Sequence, residues 1–301
     1  MQIDIREKTS LTHEDVADLN FIRDPARFVF RRHFRSGLRS HIMELLDPED
    51  TRREKEGYVA EGIRWFPRAA PRKMLRIFRT RFSSRDQALE EIRRVKIVEG
   101  YLGADFLAVS EEFLVQYDSP RGPDILLCGL QEYVQGEPLD PWRPALFAGL
   151  PCAAACACGH GGPMSDAPAA SGSGRLAAAV AVFVEKVKVM MREAGVIPDL
   201  AGIRNLLATP TGKLKLVDIN NISRIAFSRD ICMDDKGYPV CDKSVEALYL
   251  LETKVVGKIP DPNDEVYAYF LTPDRCRRVE EIHRRFHRRL TAGAALRGIS
   301  A

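Results

Sequence analysis

No segment of the 301 residues is long and apolar enough to read as a membrane span; the least polar stretch, Arg175 to Met191, is interrupted by Glu185, Lys186 and Lys188. Neither sign of charge is in excess. Lys and Arg number 45 against 42 Asp and Glu, and a net charge of +3 supplies no overall field to gather nucleic acid or an acidic membrane, so partners are to be sought at local sites. Cysteine is odd in number: 7 residues scattered along a long chain argue against a secreted disulfide framework. The opening MQIDIREKTSLTHEDVADLN is charged from its fourth residue and lacks the apolar core of a secretory signal, so a reducing cytoplasm is the expected location. What is present, 45% hydrophobic and 29% charged residues, suffices for a core in two modest domains or one two-lobed domain.

Along the first half, RFVFRRHFRSGLRSHIMELL at 27–46 has two apolar and aromatic runs flanking Ser36-Gly37 and predicts a β-hairpin. The charged DPEDTRREKEG after it reads as a solvated connection; turn-rich breaks at Pro67 and Pro71 then precede a short strand, KMLRIFR at 73–79. Residues 84–102 set Ala88, Leu89, Ile92, Val95 and Val98 near helical spacing, with Ser84 as the cap. EEFLVQY and DILLCGLQEYV around DSPRGP predict strand, turn, strand, which makes the first half a sheet with one inserted helix.

Composition changes sharply over 151–174, where small residues and breakers predict a flexible insertion. A helix is expected from Arg175, with Leu176, Val180, Phe183, Val184, Val187 and Met190 as its apolar stripe. A polar loop, a hairpin and a further helix, CDKSVEALYLLETKVVG ending near Gly257, follow. The C-terminal RCRRVEEIHRRFHRRL predicts a basic amphipathic helix, read as a solvated face, with a partner or acidic-lipid surface as the alternative.

The stretch most suggestive of chemistry is PDLAGIRNLLATPTGKLKLVDIN at 198–220. A TPTG turn between LL and KLKLV predicts a hairpin that carries Asn205 at the start of one strand and Asp218 at the end of its partner. An amide oxygen and a carboxylate so placed suit Mg²⁺, which takes hard oxygen ligands and keeps waters or phosphate oxygens at its other positions. Asp199, on the preceding loop, is then the group to orient a hydroxyl or accept its proton; the plainer reading is an ordinary loop and hairpin.

The order of loop Asp, loop Asn and strand-end Asp resembles the protein-kinase-like superfamily. The resemblance implies Asp199 as the hydroxyl-positioning residue, Asn205 and Asp218 as metal ligands, and ATP and Mg²⁺ as cofactors. Asn205 lies six positions after Asp199 where the family has five, Pro198 precedes Asp199 where Arg is usual, and Asp218-Ile219-Asn220 replaces Asp-Phe-Gly. Ile219 can still pack as an apolar anchor, and Asn220 is among the few residues able to take the positive φ of the glycine.

Other segments extend the resemblance over residues 26–290. LQEYVQGEPLD at 130–140 looks like the hinge between kinase lobes, with the Glu132 carbonyl and Val134 amide as adenine contacts; an edge strand ending in a turn is the plainer reading. Asp242 matches the residue that holds the catalytic loop from a buried helix, or is a helix cap. The position of the phosphate-binding Lys is taken by Arg76, with Lys73 as a reserve, and its helix partner is Glu91 or Glu90. A full glycine-rich loop is lacking; the SGLRS turn offers Gly37 and its neighbouring amides, or is a plain hairpin turn.

The implied fold is α+β and two-lobed: a small β-rich N-terminal lobe over 1–131, a hinge at 132–136, and a larger helical lobe over 137–301 containing the insertion and the basic helix. The implied activity is ATP- and Mg-dependent phosphotransfer to a hydroxyl on a protein or small molecule, or else a pseudokinase scaffold that binds nucleotide or none. Cys152, Cys156, Cys158 and His160 have zinc-type ligands at a spacing that fits no common finger, and Cys241 reads as a buried small apolar residue at a helix start.

Overall fold

The computed structural model of the chain describes residues 3–34, 39–143, 172–202 and 204–298. The fold is mixed α/β and divides into two compact units, Met1–Arg94 with Ala108–Tyr133, and Val95–Leu107 with Val134–Ala301. Residues 95–107, expected in the first lobe, thus belong to the second unit. They are the C-terminal part of the long helix α3 (Arg85–Phe106), whose chain leaves helical geometry at Gly103.

The first unit is built on an antiparallel sheet of β1 (Val29–Arg32), β2 (Ser40–Leu46), β5 (Lys73–Phe78), β6 (Ser110–Ser119) and β7 (Gly122–Glu132), in the order β1-β2-β5-β7-β6. Period-two alternation sends the side chains of each strand to the two faces of the sheet. Met43, Leu45, Leu75, Ile77, Leu126 and Cys128 pack with Ile5, Leu11 and Val16, the last on the short α1 (His13–Ala17). On the opposite face Phe78 and Leu127 pack with Phe82 and with Ala88 of α3. The Ser84 cap is present, accepting from the Gln87 amide at 3.2 Å.

The connection after β2 is not merely solvated. Asp47 accepts from the Glu49 amide and Pro48 opens the first turn of α2 (Pro48–Glu56), followed by a hairpin of β3 (Tyr58–Ala60) and β4 (Ile63–Trp65). The charge-rich run concealed a capped helix because nearly all its side chains face water and leave no apolar period.

The second unit packs α4 (Gly172–Ala194) and α5 (Val240–Leu250) around short strand pairs, with α6 (Glu265–Phe270) and the long α7 (Pro273–Gly298). The expected α4 stripe is buried, and Val180, Phe183, Val187 and Met190 meet Ile197, Leu216, Val245, Leu248 and Phe270 in one core. α5 continues into a π-helical turn at Leu251–Val255. β8 (Glu137–Pro138), β10 (Leu206–Ala208) and β11 (Leu214–Leu216) form one small sheet, and β9 (Val196–Ile197) pairs with β12 (Ser223–Arg224). Among the described residues no helix is long and apolar enough to cross a membrane.

Candidate functional site

Two antiparallel pairings in the second unit create the polar loop. Leu206 lies opposite Leu216 in the expected hairpin, and Ile197 lies opposite Ser223 in the β9–β12 pair. Residues 198–205 and 217–222 are therefore held at both ends against each other, and the Val217 amide donates to the Asn205 carbonyl at 2.8 Å. Asp199, Asn205 and Asp218, spread over twenty residues of sequence, belong to these two facing segments.

The loop is tied from within. Asp199 Oδ1 accepts from the amides of Ala201 and Gly202, both at 2.9 Å, while Asn205 Nδ2 donates to the Asp199 carbonyl at 2.9 Å. Gly202 is required by this fold-back, since a Cβ there would stand 2.2 Å from Asn205 Nδ2. Arg204, the last of the five residues between Asp199 and Asn205, takes the left-handed conformation, φ 72°, uncommon for a side-chain-bearing residue. Burial pushes the Asp199 carboxyl up to about 6, reinforced by the negative charges of Asp218 and Asp234 and opposed by the two loop amides.

The Asp218-Ile219-Asn220 segment departs from the expectation in one respect. Ile219 is buried in the core as an apolar anchor. Asn220, however, is not among the described residues with positive φ; its amide instead donates to Asp218 Oδ1 at 3.2 Å, a side-chain turn that needs no glycine. The Asn220 side chain is 9% exposed, and its Oδ1 is buried with no hydrogen-bond partner.

Asp242 does not hold this loop and does not cap its helix. Its carboxylate receives both arms of Arg275 on α7, with Arg275 Nη2 at 3.1 Å from Oδ2, and the helix starts at Pro239 without a side-chain cap. Ser244, two residues on, accepts from the Leu200 amide at 3.1 Å and is the residue of α5 that anchors the loop. Sequence reading missed it because a serine one half-turn from a matching aspartate carries no separate signal.

In the first unit Arg76 forms no pair with Glu91 or Glu90. Those carboxylates lie near Arg94 and Arg93 on the surface of α3, at 3.1 Å and 3.4 Å. Arg76 is 1% exposed, and its Nη2 reaches Glu112 at 2.8 Å and Ser110 at 3.2 Å. The register explains the pairing: Arg76 and Glu112 both lie opposite Gly129, from β5 and β6 respectively. Glycine at 129 leaves room for the guanidinium to cross the middle strand, since a Cβ there would stand in tight contact with Arg76 Nε, at 3.3 Å. Lys73, the reserve, is exposed at the start of β5.

Glu132 ends β7 with its amide on the Val109 carbonyl at 2.8 Å; the first unit closes at Tyr133, and Val134 opens the second. Gly37 and the Cys152–His160 segment lie outside the described residues. Cys241 is buried at the start of α5, and burial together with the Asp242 charge pushes its thiol up to about 12, far from a reactive thiolate. Among the described residues no three His, Cys, Asp or Glu side chains gather as a metal cluster. The oxygen donors on the two facing segments are the carboxylates of Asp199 and Asp218 and the side-chain amides of Asn205 and Asn220, the hard-donor types that could hold a magnesium ion.

No protein-family model and no curated protein matches the sequence.

Proposed function

We propose that the chain is an ATP- and Mg-dependent phosphotransferase of the protein-kinase-like, two-lobed type, acting on a hydroxyl of a protein or small molecule. The observation that carries the reading is the closed loop in which Asn205 ties down the Asp199 carbonyl and Val217 ties down Asn205, so that three separated polar residues share one region. With Nδ2 engaged, Asn205 offers Oδ1 to a metal, and Asp218 offers its carboxylate. The buried, unpartnered Oδ1 of Asn220 is a further hard donor on the same segment. Magnesium, when bound there, would neutralise charge on the nucleotide phosphates. Asp199 is suited to orient the acceptor hydroxyl and take its proton, because a carboxyl raised to about 6 is a stronger base than an ordinary one and remains ionised at neutral pH.

A five-stranded antiparallel sheet in the first unit, with the boundary between units at Tyr133–Val134, is in keeping with this reading. The unpaired Cys128, Cys232, Cys241 and Cys276 suit the reducing cytoplasm it implies.

One observation favours the second reading, a pseudokinase scaffold: the cation at the family's phosphate-binding position is engaged by Glu112 inside the sheet. The two readings separate in a paired measurement of Mg·ATP thermal shift and phosphate transfer from labelled ATP. A shift with transfer, abolished in Asp218→Asn while the fold is kept, is the expected result. A shift without transfer identifies the scaffold; transfer undiminished in Asp218→Asn defeats the assignment of the site.

A further inference from the structure

Among the described residues, β3 and β4 of the first unit form a two-stranded ribbon that pairs with no other strand. Five large apolar side chains within nine consecutive residues, Tyr58, Val59, Ile63, Trp65 and Phe66, are exposed, Trp65 by 54% and Phe66 by 61%. Cross-strand register puts Tyr58 with Trp65 and Ala60 with Ile63 on one face of the ribbon, and Val59 with Arg64 on the other, which Phe66 joins by alternation. An isolated two-stranded ribbon is marginal in water, and this one presents apolar groups on both faces. It is nevertheless held in place: the turn residues Glu61 and Gly62 have φ 54° and 77°, and Arg64 Nη1 donates to the Glu56 carbonyl at 2.8 Å.

The hairpin and the segment after it are locally cationic: residues 57–73 contain Arg64, Arg68, Arg72 and Lys73 against the single acid Glu61, with Arg72 paired to Asp47 at 2.6 Å. Arg68 also lines an open cavity of about 560 Å³ with Arg31, Arg32, His33, Phe34, Glu44 and Glu54. Arg31 is committed to Glu44 and Glu54, each at 2.7 Å, whereas Arg32 and Arg68 form no ion pair among the described residues. Burial lowers the proton affinities of Arg79 and His41, and the charge of Arg32 lowers both further.

We propose that the β3–β4 hairpin, with Arg32 and Arg68 beside it, docks this protein on a bilayer surface containing anionic phospholipid. Apolar groups on both faces of the ribbon suit the interfacial layer of a bilayer, which surrounds both. Trp and Tyr partition to the headgroup level, and arginines nearby gain from the negative surface potential. A three-residue strand spans roughly 10 Å, which suits the roughly 5–10 Å depth of interfacial burial. The surface lies wholly in the first unit and does not depend on the phosphotransfer reading.

The test is co-sedimentation of the full chain with phosphatidylcholine vesicles, with and without phosphatidylglycerol, together with Trp65 emission in a Trp142→Phe background. Binding to the mixed vesicles with a blue shift of Trp65 is expected. Trp65→Ser/Phe66→Ser should lower partition at least ~tenfold, since it removes most of the apolar anchor. Arg32→Glu/Arg68→Glu should abolish the preference for phosphatidylglycerol. Both pairs are exposed, so their melting curves should match the wild type; if the serine double variant fails to fold, the Trp65 shift and the arginine variant decide. Absence of binding, or equal binding by wild type and the serine variant, overturns the proposal. So does a wild-type dimer in sedimentation that the serine variant turns into a monomer, which would assign the hairpin to a second copy.

Discussion

Asp199 concentrates the residue-scale physics of this protein, because one side chain both caps a loop and carries an ill-placed charge. Its carboxyl in the fold is raised to about 6 from an ordinary 3.8, so the folded chain holds this proton more tightly than the unfolded one although the group is ionised at neutral pH. The stability this contributes is complete below the unfolded value and is lost as pH rises through about 6; above that, the ionised group weakens the fold. Asp199→Asn keeps an oxygen for the Ala201 and Gly202 amides and removes the charge. In the metal-free protein it is expected to melt higher than wild type at neutral pH by about 1–3 kcal/mol, an advantage that fades below pH ~4. Phosphate transfer should fall at least ~100-fold in the same variant. A purely structural Asp199 would leave transfer intact, which steady-state rates would reveal. The sequence displayed Asp199, Asn205 and Asp218 as candidates through residue type and order. It did not display Ser244, whose role depends on a backbone amide 44 positions away.

At the scale of elements, the two close approaches argue for different substitutions. Gly202→Ala sets a methyl into the Asn205 amide, so the loop must open; a loss of roughly 1–3 kcal/mol in denaturant unfolding is expected, with loss of Mg·ATP-dependent stabilisation. In the sheet, Arg76→Met alone leaves the Glu112 carboxylate buried without its cation and should cost about 3–5 kcal/mol. Arg76→Met/Glu112→Leu removes both charges and should recover most of that loss. If Arg76 acted on phosphate rather than within the sheet, the double variant would be stable yet fail to bind Mg·ATP, which calorimetric titration would detect. The strands and helices themselves were largely legible. α3 and α4 carry apolar residues at helical spacing, and β6 and β7 flank an evident turn. α2 and the β3–β4 hairpin were not, because their side chains face solvent and local pattern has nothing buried to report.

At the scale of the whole molecule, each unit has its own core, so calorimetric unfolding is expected to exceed a single two-state transition. Mg·ATP at a hundredfold excess over Kd should add about 2.7 kcal/mol to the unit that holds Asp218, and the other transition should move less. Acid should act first on the first unit. Burial and the Arg79 charge lower His41 to about 4, its Nε2 holding the Ile5 carbonyl at 2.9 Å; this contribution is present above the unfolded value of 6.5 and is lost as pH falls through about 4. Arg6 and Arg81 beside Asp4 hold its carboxyl down at about 2, so that ion cluster survives until lower pH. Hydrogen exchange of residues 3–8 should therefore rise between about pH 6 and 4, and His41→Gln should blunt the rise.

The sequence alone determined which segments are helix or strand wherever one face is buried, since periodicity records burial directly. It also determined the polar triplet and its order, because residue type and spacing survive translation into a list. Tertiary structure alone decided the partners. Arg76 met Glu112 rather than Glu91 because both flank Gly129 across three strands, a coincidence of register invisible along the chain. Asp242 met Arg275 because α7 returns to α5, and among the described residues no further strand pairs with the β3–β4 hairpin. Pairing is a property of long-range geometry, and local pattern encodes only the surfaces that seek it.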